Sequence, residues 1–394
     1  MSQETISQRP RKRKICVVVT ARPSYSRIKS VLREIQANHA LELQLVVAAS
    51  ALLDRYGNTV EYIRRDGFEV TARVYMLLEG ENLVTSAKTT GLGIVELSTV
   101  FDNLRPDIVV IVADRYETLA TAVAAAYMNI PIAHVQGGEV TGSIDEKVRH
   151  AVTKLANVHF VSTEKAAERV IRMGEEPDTV FVTGCPSIDL AAEMLAEPSF
   201  NLNPFSKYGG VGPLVDLVKG YLVVMQHPVT TEYGGARHHV TETLEAVREL
   251  NMPTLWFWPN ADAGSDGTSK GIRAFREQRE SANVHFFKNM SPEDFLRVVY
   301  NSRCVLGNSS VAIRECSFLG VPAVNIGTRQ TGRERAGNVI DTTYDRGKIV
   351  EAVRTHLQNG RLGSSTLYGD GRAGQRITEL LVTVPLRVEK RLAY

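Results

Sequence analysis

The sequence predicts an α/β protein made of two doubly wound, Rossmann-like domains, and three observations carry that prediction. Short Val- and Ile-rich runs recur without alternation, as in parallel strands buried on both faces. Longer amphipathic segments separate them, which gives the strand–helix repeat of a parallel sheet. The series is interrupted between residues 196 and 220, a stretch rich in Pro, Gly and Ser, and then starts again. A length of 394 residues exceeds one ordinary core and suits two.

The first series opens with Lys14–Thr20 as its leading strand. Leu43–Ala48, Asp107–Val112, Ile130–Val135 and Val158–Val161 follow. Arg27–Asn38 and Thr118–Met128 read as amphipathic helices between them. The second series comprises Tyr221–Met225, Thr254–Trp258, Val284–Phe287, Cys304–Leu306 and Ala323–Ile326. The pattern places a first domain at 1–190 and a second at 191–372. The last segment, 373–394, reads as largely helical with a break at Pro385, and is expected to return to the first domain. Two such domains leave a cleft between them, a preferred place for a ligand.

Composition narrows the function classes. Hydrophobic content of 43% and charged content of 23% suit a soluble globular protein. No apolar run reaches the roughly 18 residues that span a bilayer. The first fourteen residues are polar and basic and lack a signal-peptide core, so a cytoplasmic location is expected. Four cysteines lie scattered without metal-type spacing and read as small hydrophobes in a reducing compartment. A net charge of +2 argues against strong nucleic-acid binding, and the run Arg9–Lys14 reads as a solvated tail.

Polar residues gather just past the strand ends, the edge where open α/β sheets bind ligands. After the strand ending at Val135 comes Gln136-Gly137-Gly138-Glu139-Val140-Thr141-Gly142-Ser143-Ile144-Asp145-Glu146, then Arg149-His150-Ala151. Its ionisable groups suggest acid/base chemistry on a bound ligand, or else an ordinary capped helix. Thr20–Ser26 puts Arg22, Ser24 and Ser26 at a helix start, which suits an anion or a cap. It is neither a P-loop nor G-x-G-x-x-G, so dinucleotide binding is unsupported. Asp114-Arg115-Tyr116-Glu117 pairs a carboxylate with a guanidinium, for proton transfer beside a phosphate or for a capping ion pair. His227 follows the first strand of the second series. Gly307-Asn308-Ser309-Ser310 reads as a small-residue turn entering a helix, able to cradle a diphosphate, with Glu315 a little over one turn in to bind ribose hydroxyls. Asn325–Arg333 ends another strand with two arginines. No metal-ligand cluster with characteristic spacing is present in the sequence.

These motifs together resemble the hydrolysing UDP-N-acetylglucosamine 2-epimerases, including the epimerase domain of the bifunctional UDP-GlcNAc 2-epimerase/ManNAc kinases. The similarity runs from about Lys14 to about Leu381. Its most specific pieces are Gly137–Val140 with Ile144-Asp145 and Arg149–Ala151; Gly184–Ser187; Gln226–Thr231; Gly307–Ser310; Gly327–Gln330; and Tyr368–Gly371. The resemblance implies a glycosyltransferase-B-like fold and a reaction without metal or cofactor. UDP leaves C1 as C2 loses its proton, a glycal forms, and water adds to give UDP and N-acetylmannosamine, a precursor of sialic-acid-type sugars. It also implies a homodimer or homotetramer.

By the same resemblance, Asp114 and Asp145 are the acid/base carboxylates and His227 faces the diphosphate. Arg22, Ser26, Arg115, Asn260, Ser309, Ser310, Glu315 and Arg329 match nucleotide-contact positions. The chain departs from the animal enzymes at Gln136, where they carry Glu. An amide is no carboxylate base, so either Asp114, Asp145 or Glu139 carries that proton or the sugar differs. The alternative substrate is a UDP- or GDP-linked 2,4-diacetamido-2,4,6-trideoxyglucose, on the legionaminic acid route. A glycosyltransferase of the same fold and a non-catalytic nucleotide-sugar sensor are the competing classes.

Overall fold

The computed structural model describes residues 11–80, 82–112, 115–142, 144–199, 201–259, 264–277 and 283–393. Seven parallel strands form the first sheet: β1 (Arg13–Val19), β2 (Leu41–Ala48), β3 (Ala72–Val74), β4 (Ile108–Val112), β5 (Ile132–Val135), β6 (Val158–Val161) and β7 (Val180–Val182). Their order across the sheet is β3-β2-β1-β4-β5-β6-β7. A second, six-stranded parallel sheet holds β8 (Leu222–Met225), β9 (Thr254–Phe257), β10 (Val284–Phe287), β11 (Cys304–Gly307), β12 (Ala323–Ile326) and β13 (Val339–Thr342), ordered β10-β9-β8-β11-β12-β13.

The uninterrupted apolar runs have a direct structural reason. Along β1, Ile15, Val17 and Val19 enter one core while Cys16 and Val18 enter another on the opposite face. Both faces are covered, so neither tolerates a polar residue. In the second sheet Val223 and Met225 pack on one side of β8, Leu222 and Val224 on the other.

In each sheet the strand order reverses once, between β1 and β4 and between β8 and β11. A crevice forms outside the carboxyl ends at such a point. Arg22 and Ser26 follow β1, Arg115 follows β4, His227 follows β8, and Ser309 and Ser310 follow β11. The topology therefore delivers the polar strand-end motifs to the two crevices.

Three expectations need correction. The span 27–38 is not one helix: a five-residue helix, Arg22–Ser26, precedes Lys29–Ala37, because Pro23 supplies a helical φ early. Glu315 does not lie past one helical turn; a 3-10 turn at Ser310–Ala312 intervenes, and Glu315 opens the helix Glu315–Leu319. The final helix is only Ala373–Thr383, since Val384 turns extended (ψ 133°) before Pro385, and no helix follows through residue 393. Ile377, Leu381 and Val384 of this segment join the core of the first sheet. The helix Pro186–Ala196 crosses between the sheets and sends Leu190, Ala191 and Met194 into the second core. Among the described residues, no helix is long and apolar enough to cross a membrane.

Candidate active site

A cleft with about 960 Å³ of non-atom space, open to solvent, lies where the two crevices face each other. The first half lines it with Arg22, Ser26, Arg27, Tyr62 and Arg115, the second with His227, Ser309, Ser310, Glu315 and Arg329. Its floor in the second half is apolar, through Phe257, Met290 and Phe295.

Asn308 organises the second half. Its side chain accepts from the His227 amide at 2.8 Å and donates to the His227 carbonyl at 2.8 Å, which welds the ends of β8 and β11. Its own carbonyl accepts from Gln330 Nε2 at 2.8 Å and from Arg329 Nη1 at 3.4 Å. His227 and Arg329 are therefore set by one residue, the first by its side chain and the second by its backbone carbonyl. Glu315 is buried, and its Oε2 has no hydrogen-bond partner. An orphaned acceptor at a cleft wall is costly unless a ligand donor meets it.

In the first half, Glu139 is buried and its carboxylate sits in an ion-pair cluster. Arg333 Nη2 lies 2.8 Å away, Arg314 Nη1 3.4 Å, and Ser162 Oγ donates at 3.0 Å. Burial alone would raise the pKa of this carboxyl. The guanidiniums of Arg333, Arg314 and Arg149 outweigh it and hold the group down to about 2. Gln136 adopts left-handed backbone, φ 69°, uncommon for a residue with a side chain. Its Oε1 accepts from Arg314 Nη1 at 3.0 Å and its amide nitrogen donates to Cys185 Sγ at 2.9 Å. Gln136 and Glu139 thus share Arg314, and neither lines the cleft.

Asp145 starts the helix Asp145–Leu155 and faces Arg329 of the second half at 3.7 Å. The loop before it is fixed from both sides. Glu146 Oε2 accepts from the Thr141 amide at 2.7 Å, and Arg149 Nη1 donates to Glu146 at 3.0 Å and to the Glu139 carbonyl at 2.7 Å. The Gly142 amide donates to the Arg329 carbonyl at 3.1 Å. A Cβ at Gly142 would strike the carbonyl of Thr328, so this approach demands glycine.

Further contacts join the halves along the cleft. Arg22 Nη1 donates to the Lys288 carbonyl at 2.8 Å, Arg27 Nη2 to Ser310 Oγ at 3.0 Å, and Lys29 Nζ pairs with Glu293 at 2.5 Å. Burial lowers the Arg22 pKa to about 10. Arg115 is clamped by Glu117 through two contacts, at 3.0 and 3.1 Å.

The structure thus brings Arg22, Ser26, Arg115, His227, Ser309, Ser310, Glu315 and Arg329 to one cleft, with Asp145 against Arg329. Gln136 and Glu139 stand behind it. Asp114 and Asn260 lie outside the described residues. Sequence reasoning missed Arg27, Arg314 and the clamping role of Asn308. Among the described residues, no group of three His, Cys, Asp or Glu is placed to hold a metal ion.

Comparison with known proteins completes the identification. A sequence profile for the family described as UDP-N-acetylglucosamine 2-epimerase matches residues 33–382. The chain is 34% identical to the UDP-N,N'-diacetylbacillosamine 2-epimerase (hydrolyzing) of Legionella pneumophila, covering 95% of this chain and 97% of that protein. It is 31% identical to the GDP/UDP-N,N'-diacetylbacillosamine 2-epimerase (hydrolyzing) of Campylobacter jejuni, over 84% of each. Its fold matches the Neisseria meningitidis UDP-GlcNAc 2-epimerase crystallised with UDP-GlcNAc, with a TM-score of 0.75 and 18% identity over 94% of this chain and 99% of that one. The two-sheet architecture, the cleft and these relatives agree, and the chain belongs to the UDP-N-acetylglucosamine 2-epimerase family.

Proposed function

We propose that the chain is a hydrolysing 2-epimerase of a UDP-linked 2-acetamido sugar. The observation that carries this reading is the approach of Asp145 to Arg329, 3.7 Å apart, beside a cleft lined by Ser309, Ser310 and the orphaned Glu315. The diphosphate lies against the Ser309–Ser310 turn and the guanidiniums of Arg22, Arg115 and Arg329. Glu315 takes the ribose hydroxyls. His227, held by Asn308, faces the leaving diphosphate.

Asp145 and Asp114 divide the proton work. One removes the C2 proton as the C1–O bond breaks, so UDP departs with the bonding pair and a C1=C2 glycal remains. Water then adds its hydroxyl at C1, and a proton returns to C2 from the opposite face, giving the free 2-epimer. No electrons are gained or lost, so the balance requires no redox cofactor. Gln136 carries no proton; it holds Arg314. Glu139 is ionised with its oxygens engaged by Arg314, Arg333 and Ser162, so it serves as an anchor between the halves.

With UDP-GlcNAc the product is N-acetylmannosamine. The relatives at 34% and 31% identity favour a second reading, in which the sugar is 2,4-diacetamido-2,4,6-trideoxyglucose. Proton NMR in D2O with each nucleotide sugar tests the function. Free 2-epimer deuterated at C2, formed together with UDP, is expected from one or both. Release of sugar without C2 exchange, or no reaction with either, sinks the epimerase reading.

A further inference from the structure

A buried ion cluster that the reaction does not use lies near the amino ends of β6 and β7, the edge of the first sheet away from the cleft. Glu175 is 2% exposed and gathers three partners. Lys154 Nζ lies 2.5 Å from its Oε1, Lys390 Nζ 2.5 Å from its Oε2, and His159 Nε2 3.0 Å from its Oε2. Burial alone would raise the pKa of this carboxyl. Hydrogen bonds from His159, Lys154 and Lys390 outweigh it and hold the group down to about 2. Burial lowers the pKa of His159, so the cluster sets one anion and a neutral imidazole among two ammonium groups.

Lys390 belongs to the C-terminal tail, residues 385–393, which has no helix or strand of its own. Its ammonium also donates to the Thr153 carbonyl at 3.0 Å and to the Ala156 carbonyl. These carbonyls lie in the last turn and at the C-cap of the helix Asp145–Leu155. A helix C-terminus leaves carbonyls without intrahelical partners and carries the negative end of the dipole, so an ammonium is favoured there on both counts. Other contacts fix the tail on either side of Lys390. Asn157 Nδ2 donates to the Val388 carbonyl at 3.3 Å, and the Ala393 amide to the Gly174 carbonyl at 3.1 Å. Arg13 Nη1 secures the base of the tail through the carbonyls of Leu381 at 2.6 Å and Val384 at 3.0 Å.

We infer that this tail is a clasp on the far end of the Asp145 helix, and that Lys390 is a positioning residue for Asp145. The inference rests on the proton-transfer role given above to Asp145 and deepens it. The helix has eleven residues, a rod about 16 Å long. Its N-cap, Ile144, makes no side-chain bond to it. Val148 and Val152 hold one face against the core, and Lys154 and Lys390 grip the last turn through Glu175 and the free carbonyls. Asp145 rides on the opposite end, 3.7 Å from Arg329. Misplacing a reacting group by about 1 Å costs up to about 100-fold in rate, so a helix loosened at its base is felt in the chemistry. The Ser309–Ser310 turn, in the other half, does not depend on that helix for its place.

Lys390→Met in the full chain tests the clasp. It keeps the apolar stem and removes the ammonium, while Lys154 and His159 remain on Glu175 and keep its charge compensated. Glu389→Gln, exposed on the same tail, is the control. Three readouts are compared with wild type: kcat for 2-epimer formation, UDP affinity by calorimetry, and amide hydrogen exchange over residues 145–156. In Lys390→Met, kcat should fall about tenfold with UDP affinity unchanged, and exchange should quicken in the Asp145 helix more than in the rest of the first half. The control should match wild type. Wild-type exchange over 145–156, or wild-type kcat despite faster exchange, overturns the inference. So does a parallel loss of kcat and UDP affinity, which marks a general weakening of the fold. If wild type forms no 2-epimer from either nucleotide sugar, the function proposed above fails by itself, and the exchange measurement decides whether the tail clasps the helix.

Discussion

Replacing Glu139 by Gln is the sharpest test of the claim that this residue joins the two halves. The carboxylate is 4% exposed and holds Arg333 at 2.8 Å and Arg314 at 3.4 Å. Removing its charge leaves two buried guanidiniums undercompensated, a loss of about 3–5 kcal/mol when one partner of a buried pair goes. For domains of this size about 1 kcal/mol moves the midpoint by about 2–4 °C, so a fall on the order of 10 °C is expected. The pH dependence gives an independent measure. The pKa is about 2 in the folded protein against an ordinary 4.5. A depressed folded pKa contributes stability above 4.5 that is lost as pH falls towards 2. The difference corresponds to about 3 kcal/mol at neutral pH, of which roughly half survives at pH 3. Other carboxylates titrate alike in both proteins and cancel in the comparison. Thermal unfolding by circular dichroism from pH 7 to pH 3 should show the wild type's advantage narrowing across that window. Equal midpoints at pH 7, or a gap constant with pH, would refute the anchoring argument.

Asp145→Asn is expected to cut 2-epimer formation at least 100-fold, as for loss of a general acid or base, while calorimetry still detects UDP; near-normal turnover would remove Asp145 from the proton chemistry. Arg329→Ala should weaken UDP binding about tenfold or more, the loss expected for a charged hydrogen bond, and unchanged affinity would take Arg329 out of the phosphate site. Gly142→Ala forces a Cβ into the Thr328 carbonyl, so the loop before Asp145 must withdraw from the loop at 327–333. Its kcat should fall more than its UDP affinity, since the Asp145 loop moves while the Ser309–Ser310 turn and Glu315 stay in place; equal losses in both would point to general misfolding instead.

The sequence was most legible where one cause acts alone. β1 and β4 are buried on both faces, so their apolar runs could be read directly. The edge strands β3, β7 and β13 were missed because each is only three or four residues long and largely unburied on one side. The strand-end motifs were legible as clusters, since topology places every strand end of one sheet on one edge. The partners within the cluster were not. Gln136 and Arg314 are 178 residues apart, and nothing local to either announces the other. Asn308 was legible as part of a small-residue turn. That its side chain fixes the His227 backbone while its carbonyl holds the Arg329 loop depends on β8 and β11 being neighbours, which residue types do not encode.

If the proposed function holds, the contact between Asp145 and Arg329 links binding to chemistry. Arg329 lies 3.7 Å from the Asp145 carboxylate and also donates to the Asn308 carbonyl. On the proposed function, a diphosphate at the Ser309–Ser310 turn competes for the same guanidinium with a greater charge. On the proposed function, Arg329 turns to the phosphate and Asp145 exchanges this partner for the sugar. The Gly142–Arg329 backbone bond meanwhile keeps the Asp145 loop beside the second half. On that reading one arginine serves two anions in turn, and release of Asp145 is tied to arrival of the diphosphate.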